Sequence, residues 1–174
     1  MTFYESPVEM TNVTISENYC EDALNLVRSD FSIKALNINN TFADGFDGYF
    51  CKGKLFDSYL FDTGNDGLDY SGSWIEISNV KMERIGDKGI SAGEQATLDI
   101  KDVQITGAQI GIASKDLSKV KVVNTSLKDC KQGFAAYRKK PEFGGGTINV
   151  KSFTQEGVVN LTVADPESKI NLPK

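Results

Sequence analysis

Apolar residues recur at every second position in short runs along most of the chain. FDSYLF (56–61), ISNVKM (77–82), IKDVQI (100–105), VNTSL (123–127) and INVKSF (148–153) are examples. Alternation of this kind predicts half-buried β-strands. The runs repeat in register. A small residue followed by an apolar one appears as Ala23-Leu24, Gly45-Phe46, Gly67-Leu68, Gly89-Ile90, Gly111-Ile112 and Gly133-Phe134, each step 22 residues, then as Gly157-Val158 after 24. A second column, Asp57, Asn79, Asp102, Asn124 and Asn149, sits at the junctions between runs. Asn and Asp suit tight corners because their side chains bond nearby backbone and tolerate left-handed φ/ψ.

A 22-residue unit is too short for a βαβ crossover and lacks the leucine-rich pattern. It accommodates three short strands and three turns. Each strand then pairs with its counterpart about 4.8 Å away on the next rung, and only stacking buries the apolar face. The reading is therefore an all-β, right-handed parallel β-helix of about seven rungs. Residues 12–160 form the rungs, 1–11 an N-terminal cap and 161–174 a C-terminal cap. The scarce prolines agree: Pro7, Pro166 and Pro173 lie near the ends, and Pro141 falls in KKPEFGGG (139–146), expected as a loop leaving the cylinder. Trp74 begins a strand and is expected in the core. Cys20 and Cys130 share a column five rungs apart, beyond disulfide reach, and Cys51 lies elsewhere on its rung. Three free thiols, mostly buried, are expected.

Composition narrows the function. With 174 residues, one domain is expected. The net charge of −5 gives no basic footprint for nucleic acid. No apolar run is long enough for a membrane span. The opening MTFYESPVEM lacks the basic and apolar regions of a signal peptide, and the compartment is left open, extracellular or cell-surface if the chain is part of a larger protein. There is no histidine, which removes Ser-His-Asp and Cys-His machinery and leaves Lys, Arg, Tyr, Asp and Glu for any catalysis.

The candidate chemistry flanks the small-residue column. One position before it stand Asp22, Asp44, Asp66 and Lys88; two positions after it stand Asn25, Asp47, Asp69 and Ser91. If the apolar residue between them points inward, both columns face solvent. Stacked carboxylates repel, so compensation is expected: Lys88, or a calcium ion held by Asp44, Asp47, Asp66 and Asp69. The plainer alternative makes these Asp residues turn caps. A basic cluster follows, with Lys115 under Tyr137 one rung apart, then Arg138, Lys139 and Lys140, and Glu94 nearby. Lys115, Tyr137 and Arg138 are the candidates for gripping a uronate and moving a proton as a lyase requires. The alternative is an ion-pair network on a solvated face.

The runs EDALNLVRSDF (21–31), GNDGLDYSGS (64–73), GDKGISAGE (86–94), IGIASKDLS (110–118) and AYRKKPEFG (136–144) resemble a bacterial family of right-handed parallel β-helix repeat proteins, within the pectin- and pectate-lyase-like superfold. The resemblance covers about residues 10–150. It implies the fold and, through the wider superfamily of polysaccharide lyases and mannuronan epimerases, a polysaccharide ligand, acidic ones included. The epimerase DPH motif and the pectate-lyase Arg motif are absent. Three functions follow in order. The first is a non-catalytic or weakly catalytic module recognising a polysaccharide along one face, with Asp22, Asn25, Asp44, Asp47, Asp66, Asp69, Lys88 and Glu94 as binding residues. The second is a scaffold whose copies associate end to end. The third is a lyase- or epimerase-like enzyme.

Overall fold

The computed structural model describes residues 1–174, and every regular element in it is a β-strand. The chain winds as a right-handed parallel β-helix of about eight turns. One sheet stacks eight strands in order: Thr2–Tyr4, Asp22–Val27, Asp44–Tyr49, Leu68–Ser71, Lys88–Gly93, Ile110–Lys115, Gln132–Tyr137 and Asn160–Ala164. The second sheet carries the longer strands Lys52–Thr63, Trp74–Ile85, Thr97–Thr106 and Lys119–Lys128. Each of these bends at one residue of positive φ: Asp57, Asn79, Asp102 or Asn124. The expected three segments per rung are therefore present, joined at single-residue corners.

The turn beyond the expected seven comes from the ends. Residues 2–4 and 8–11, expected as a cap, are strands paired to residues 25–27 and 31–34. Residues 160–164 and 169–171 pair likewise with the rung below. Both expected caps are largely terminal rungs.

The small-residue column has a steric cause. A Cβ built on Gly45, Gly67, Gly89 or Gly111 would lie 2.7–2.8 Å from the carbonyl oxygen of the next glycine up the column. Real Cβ atoms do not approach that closely, so the rungs stack tightly here only without a side chain. Gly157 is not in this column. Gln132 pairs with Asn160, a step of 28 rather than 22, and Gly157 is instead a corner of positive φ. The loop between Tyr137 and Thr147 adds the extra residues. The same insertion displaces Asn149 from the corner column into a strand, where Asn171 donates to it at 2.8 Å. The true members bond from rung to rung: Asn79 Nδ2 donates to Asp57 Oδ1 at 2.8 Å, and Asn124 to Asp102 at 2.5 Å.

Inside the cylinder, Leu24, Phe46, Leu68, Ile90, Ile112 and Phe134 form one fully buried stack, and Ile33, Leu55, Ile77 and Ile100 another. Each such side chain contributes roughly 1.5–3 kcal/mol by leaving water. Tyr70 enters this core where Gly48 leaves room; a Cβ at Gly48 would meet its ring at 2.7 Å. Serines bind the first corner together: Ser29, Ser73, Ser118 and Ser168 each accept the backbone N–H of a residue one rung below.

Two expectations about burial are corrected. Trp74 starts its strand but is 57% exposed, because Ile75 and Ile77 take the inward positions. Cys20 is exposed while its column mate Cys130 is buried, since Cys20 lies at the first such corner with no rung stacked beneath it. All three thiols are free.

Candidate functional site

Strand alternation fixes which side chains leave the eight-stranded sheet. Leu24, Phe46, Leu68 and Ile90 are wholly buried inside, so their neighbours on either side point out. The pairing register stacks Asp22 under Asp44, and it stacks Asn25, Asp47, Asp69, Ser91, Ala113 and Ala135 in one row. Further along the same strands Val27, Tyr49, Ser71 and Gly93 stack, followed by Lys115 and Tyr137.

The two acidic columns do different things. In the first, the carboxylates serve the backbone. Asp44 Oδ1 accepts the N–H of Asp66 at 2.8 Å and the Asn65 amide at 2.6 Å, and Asp66 Oδ1 accepts the N–H of Lys88 at 3.0 Å. Each Asp thus ties its rung to the next. Lys88 Nζ closes the column, 3.2 Å from Asp66 and 2.5 Å from Asp87. Burial works against the Lys88 charge, but the hydrogen bond to Asp87 and the charge of Asp66 hold its pKa above the ordinary lysine value. Asp22 is raised by burial and by Asp44, while the Asn25 amide bound to it at 2.8 Å acts the other way.

In the second column the polar atoms are left free. Asp69 Oδ1, Ser91 Oγ and Asn25 Oδ1 are buried and have no hydrogen-bond partner. Ser91 is fully covered although it faces outward. Lys115 contributes to this cover. It leans back over Gly93, with Cε 3.4 Å from where a Cβ would stand, and brings Nζ to 3.6 Å from Asp69, two rungs below. Its side chain is 4% exposed. Asp47 is 5% exposed. Burial, followed by the charges of Asp69, Asp22 and Asp44, pushes its carboxyl up to about 8, against the pull of the neighbouring Tyr49 hydroxyl. Asp66 is pushed up to about 6 by burial, with Lys88 opposing. Tyr137 is raised by burial and senses the charges of Lys88, Asp87, Asp66 and Asp69, which places its hydroxyl at the same cleft.

The expected basic grip is not assembled as one group. Arg138 pairs with Glu167 at 3.0 Å, Lys140 pairs with Glu94, and only Lys115 and Tyr137 face the acidic row. The Asp116 carboxylate accepts the N–H groups of Lys139 and Lys140 and so pins the start of the 138–146 loop. The four-Asp calcium set also divides. Asp22, Asp44 and Asp47 bring one oxygen each within 4.8 Å of one another, while Asp66 and Asp69 are engaged by Lys88 and Lys115. With two buried ammonium groups, backbone donors and a proton held on Asp47, the ladder is compensated from within the chain. Sequence reasoning missed Tyr49 and placed Ser91 only as a column member; Tyr49 had the same offset from its glycine as Tyr137.

No protein-family model matches the chain, and no curated protein does. Among solved structures, the catalytic domain of a GH87 alpha-1,3-glucanase in complex with nigerose is similar at 12% identity and a TM-score of 0.34, covering 94% of this chain. A structure of such a domain in complex with tetrasaccharides is similar at 13% identity and a TM-score of 0.35, covering 92%. The chain spans about half the length of these structures, 48% in each case.

Proposed function

We propose that this protein binds a neutral glycan along the outer face of the eight-stranded sheet, with Asp47, Asp69 and Ser91 as the principal contacts. The observation that supports this reading most is the row of buried polar atoms without partners, Asn25 Oδ1, Asp69 Oδ1 and Ser91 Oγ, on consecutive rungs of an outward face. A buried polar atom left unmade costs about 1–3 kcal/mol, and sugar hydroxyls both donate and accept. Neutral Asp47 offers a donor, the Lys115-paired Asp69 an acceptor and Ser91 either. Tyr49 and Tyr137 stand beside the row as walls.

Charge selects against an acidic polymer. Asp22, Asp44, Asp66, Asp69 and Asp87 surround the row, and the two lysines near it are already paired. A uronate would approach this face without a free cation to meet it. That favours recognition of neutral sugars over lyase chemistry. Calorimetric titration with neutral and uronic hexasaccharides tests the reading. Binding of a neutral oligomer that weakens at least tenfold in the Asp47→Asn/Asp69→Asn double variant supports it, since two lost charge-assisted contacts exceed about 1.4 kcal/mol. Preference for the uronic oligomer, or equal binding by the variant, rules it out.

A further inference from the structure

A second surface lies around the corner from the acidic row. On the other sheet, Trp74 stacks above Lys52, which stacks above Asp30, and Glu76, Lys54 and Ser32 form the parallel row two residues further along. Between the rows runs an open groove of about 640 Å³ with Val8, Phe31 and Gly53 in its lining. Trp74 is 57% exposed, and Lys52 Nζ stands 5.2 Å from its ring centroid. A large aromatic left in water at the edge of a groove is unusual for a side chain of this size.

The lining indicates what fits. Only three of its eleven residues are apolar, and the rest offer donors and acceptors of both signs. A protein-binding patch depletes charge at its centre, and a chain of net charge −5 does not attract nucleic acid. One aromatic face ringed by ammonium, hydroxyl and carboxylate groups matches a pyranose, which presents an apolar C–H face and a rim of hydroxyls. The groove is also continuous with the acidic row. The strand carrying Asp47 ends at Tyr49, Phe50 makes the corner, and Lys52 opens the next strand directly beneath Trp74. The Phe50 ring covers the corner glycine of the next rung, Gly72, where a Cβ would lie 2.5 Å from it. Tyr49, Phe50 and Trp74 are all exposed, so aromatic surface runs from the carboxylates to the groove.

We infer that the Trp74 groove is a second carbohydrate subsite, which holds the trailing end of a glycan engaged on the acidic face. The inference rests on the glycan reading of that face. Its contribution comes from stacking and uncharged contacts, so it acts on long oligomers and is insensitive to the Asp47 proton.

Trp74 is the only tryptophan, so its emission reports on the groove alone. The experiment titrates a panel of neutral hexasaccharides and the matching disaccharides into the whole protein, following tryptophan emission, acrylamide quenching and heat together. The expected result is a blue shift with reduced quenching for a hexasaccharide, and about tenfold weaker hexasaccharide binding in Trp74→Ala with disaccharide binding unchanged. Heat of binding with unaltered Trp74 emission and quenching overturns the inference and leaves the acidic-face reading standing. A tryptophan response of undiminished affinity in Asp47→Asn/Asp69→Asn keeps the groove as a site and overturns the acidic face. No heat and no emission change across the panel overturns both.

Discussion

Asp47 gives the protein an unusual dependence of stability on pH. Its carboxyl lies near 3.8 in the unfolded chain and is pushed up to about 8 in the native one, with burial as the largest cause. Between about pH 4 and pH 8 the unfolded chain has released this proton and the native chain retains it. The native state therefore binds more protons, and its stability falls as pH rises through that window, then levels off above about 8. Asp66 adds the same trend over a narrower window, up to about 6. Each pH unit in the window is worth about 1.4 kcal/mol per group, so raising the pH from 5 to 8 removes at most about 4 kcal/mol through Asp47. For a chain of this length 1 kcal/mol moves Tm by about 2–4 °C, giving a fall of roughly 10 °C. Asp47→Asn keeps the shape and has no proton to lose. Thermal unfolding followed by circular dichroism at pH 5, 6.5, 8 and 9 should show the variant gaining on the wild type as pH rises, with the gap constant above about 8. Parallel curves, or a wild type more stable at pH 8 than at pH 5, would refute the reasoning.

Other expectations follow from the same geometry. Lys115→Met leaves Asp69 buried beside Asp47 without its counter-charge and should cost about 3 kcal/mol in denaturant unfolding, most of it recovered by adding Asp69→Asn; an additive double variant would contradict this. Gly89→Ala places a Cβ 2.7 Å from the Gly111 carbonyl and 2.8 Å from Ile105, and should cost about 1–3 kcal/mol by the same assay; an unchanged midpoint would show that the column can spread. A chelator should leave Tm within about a degree, because lysines and backbone donors already compensate the acidic columns; a calcium-induced rise abolished by Asp47→Asn would reinstate the metal. In native protein one thiol, Cys20, should react promptly with a disulfide reagent, and three after denaturation. The Cys51 and Cys130 thiols are buried and pushed up by that burial.

Much of the fold was legible because its cause is periodic. The 22-residue spacing of Gly45, Gly67, Gly89, Gly111 and Gly133 reflects one steric fact, repeated on each rung. Where the period broke, legibility ended: the loop after Tyr137 shifted Gly157 and Asn149 out of the columns they were expected to join. Most other corners carry no signal, since Glu5, Arg28 and Phe50 hold one positive-φ column and Glu17, Asn40 and Asp62 another. Trp74 was readable in principle, because Ile75 and Ile77 fix its strand's parity. The site was legible only as a set of columns. That Asp44 and Asp66 serve the backbone while Asp47 and Asp69 remain available depends on which carboxylate a neighbouring rung's N–H meets. The reach of Lys115 over Gly93 to Asp69 spans two rungs and leaves no mark in the sequence.

The most direct test of glycan binding is a crystal structure of the protein with a neutral hexasaccharide. The account predicts a sugar ring over the row Asp47, Asp69 and Ser91, with hydroxyls bonded to Asp69 Oδ1 and Ser91 Oγ and the Asp47–Lys115 side chains little moved. A hexasaccharide bound only on another face, with Asp69 and Ser91 still without partners, would contradict it.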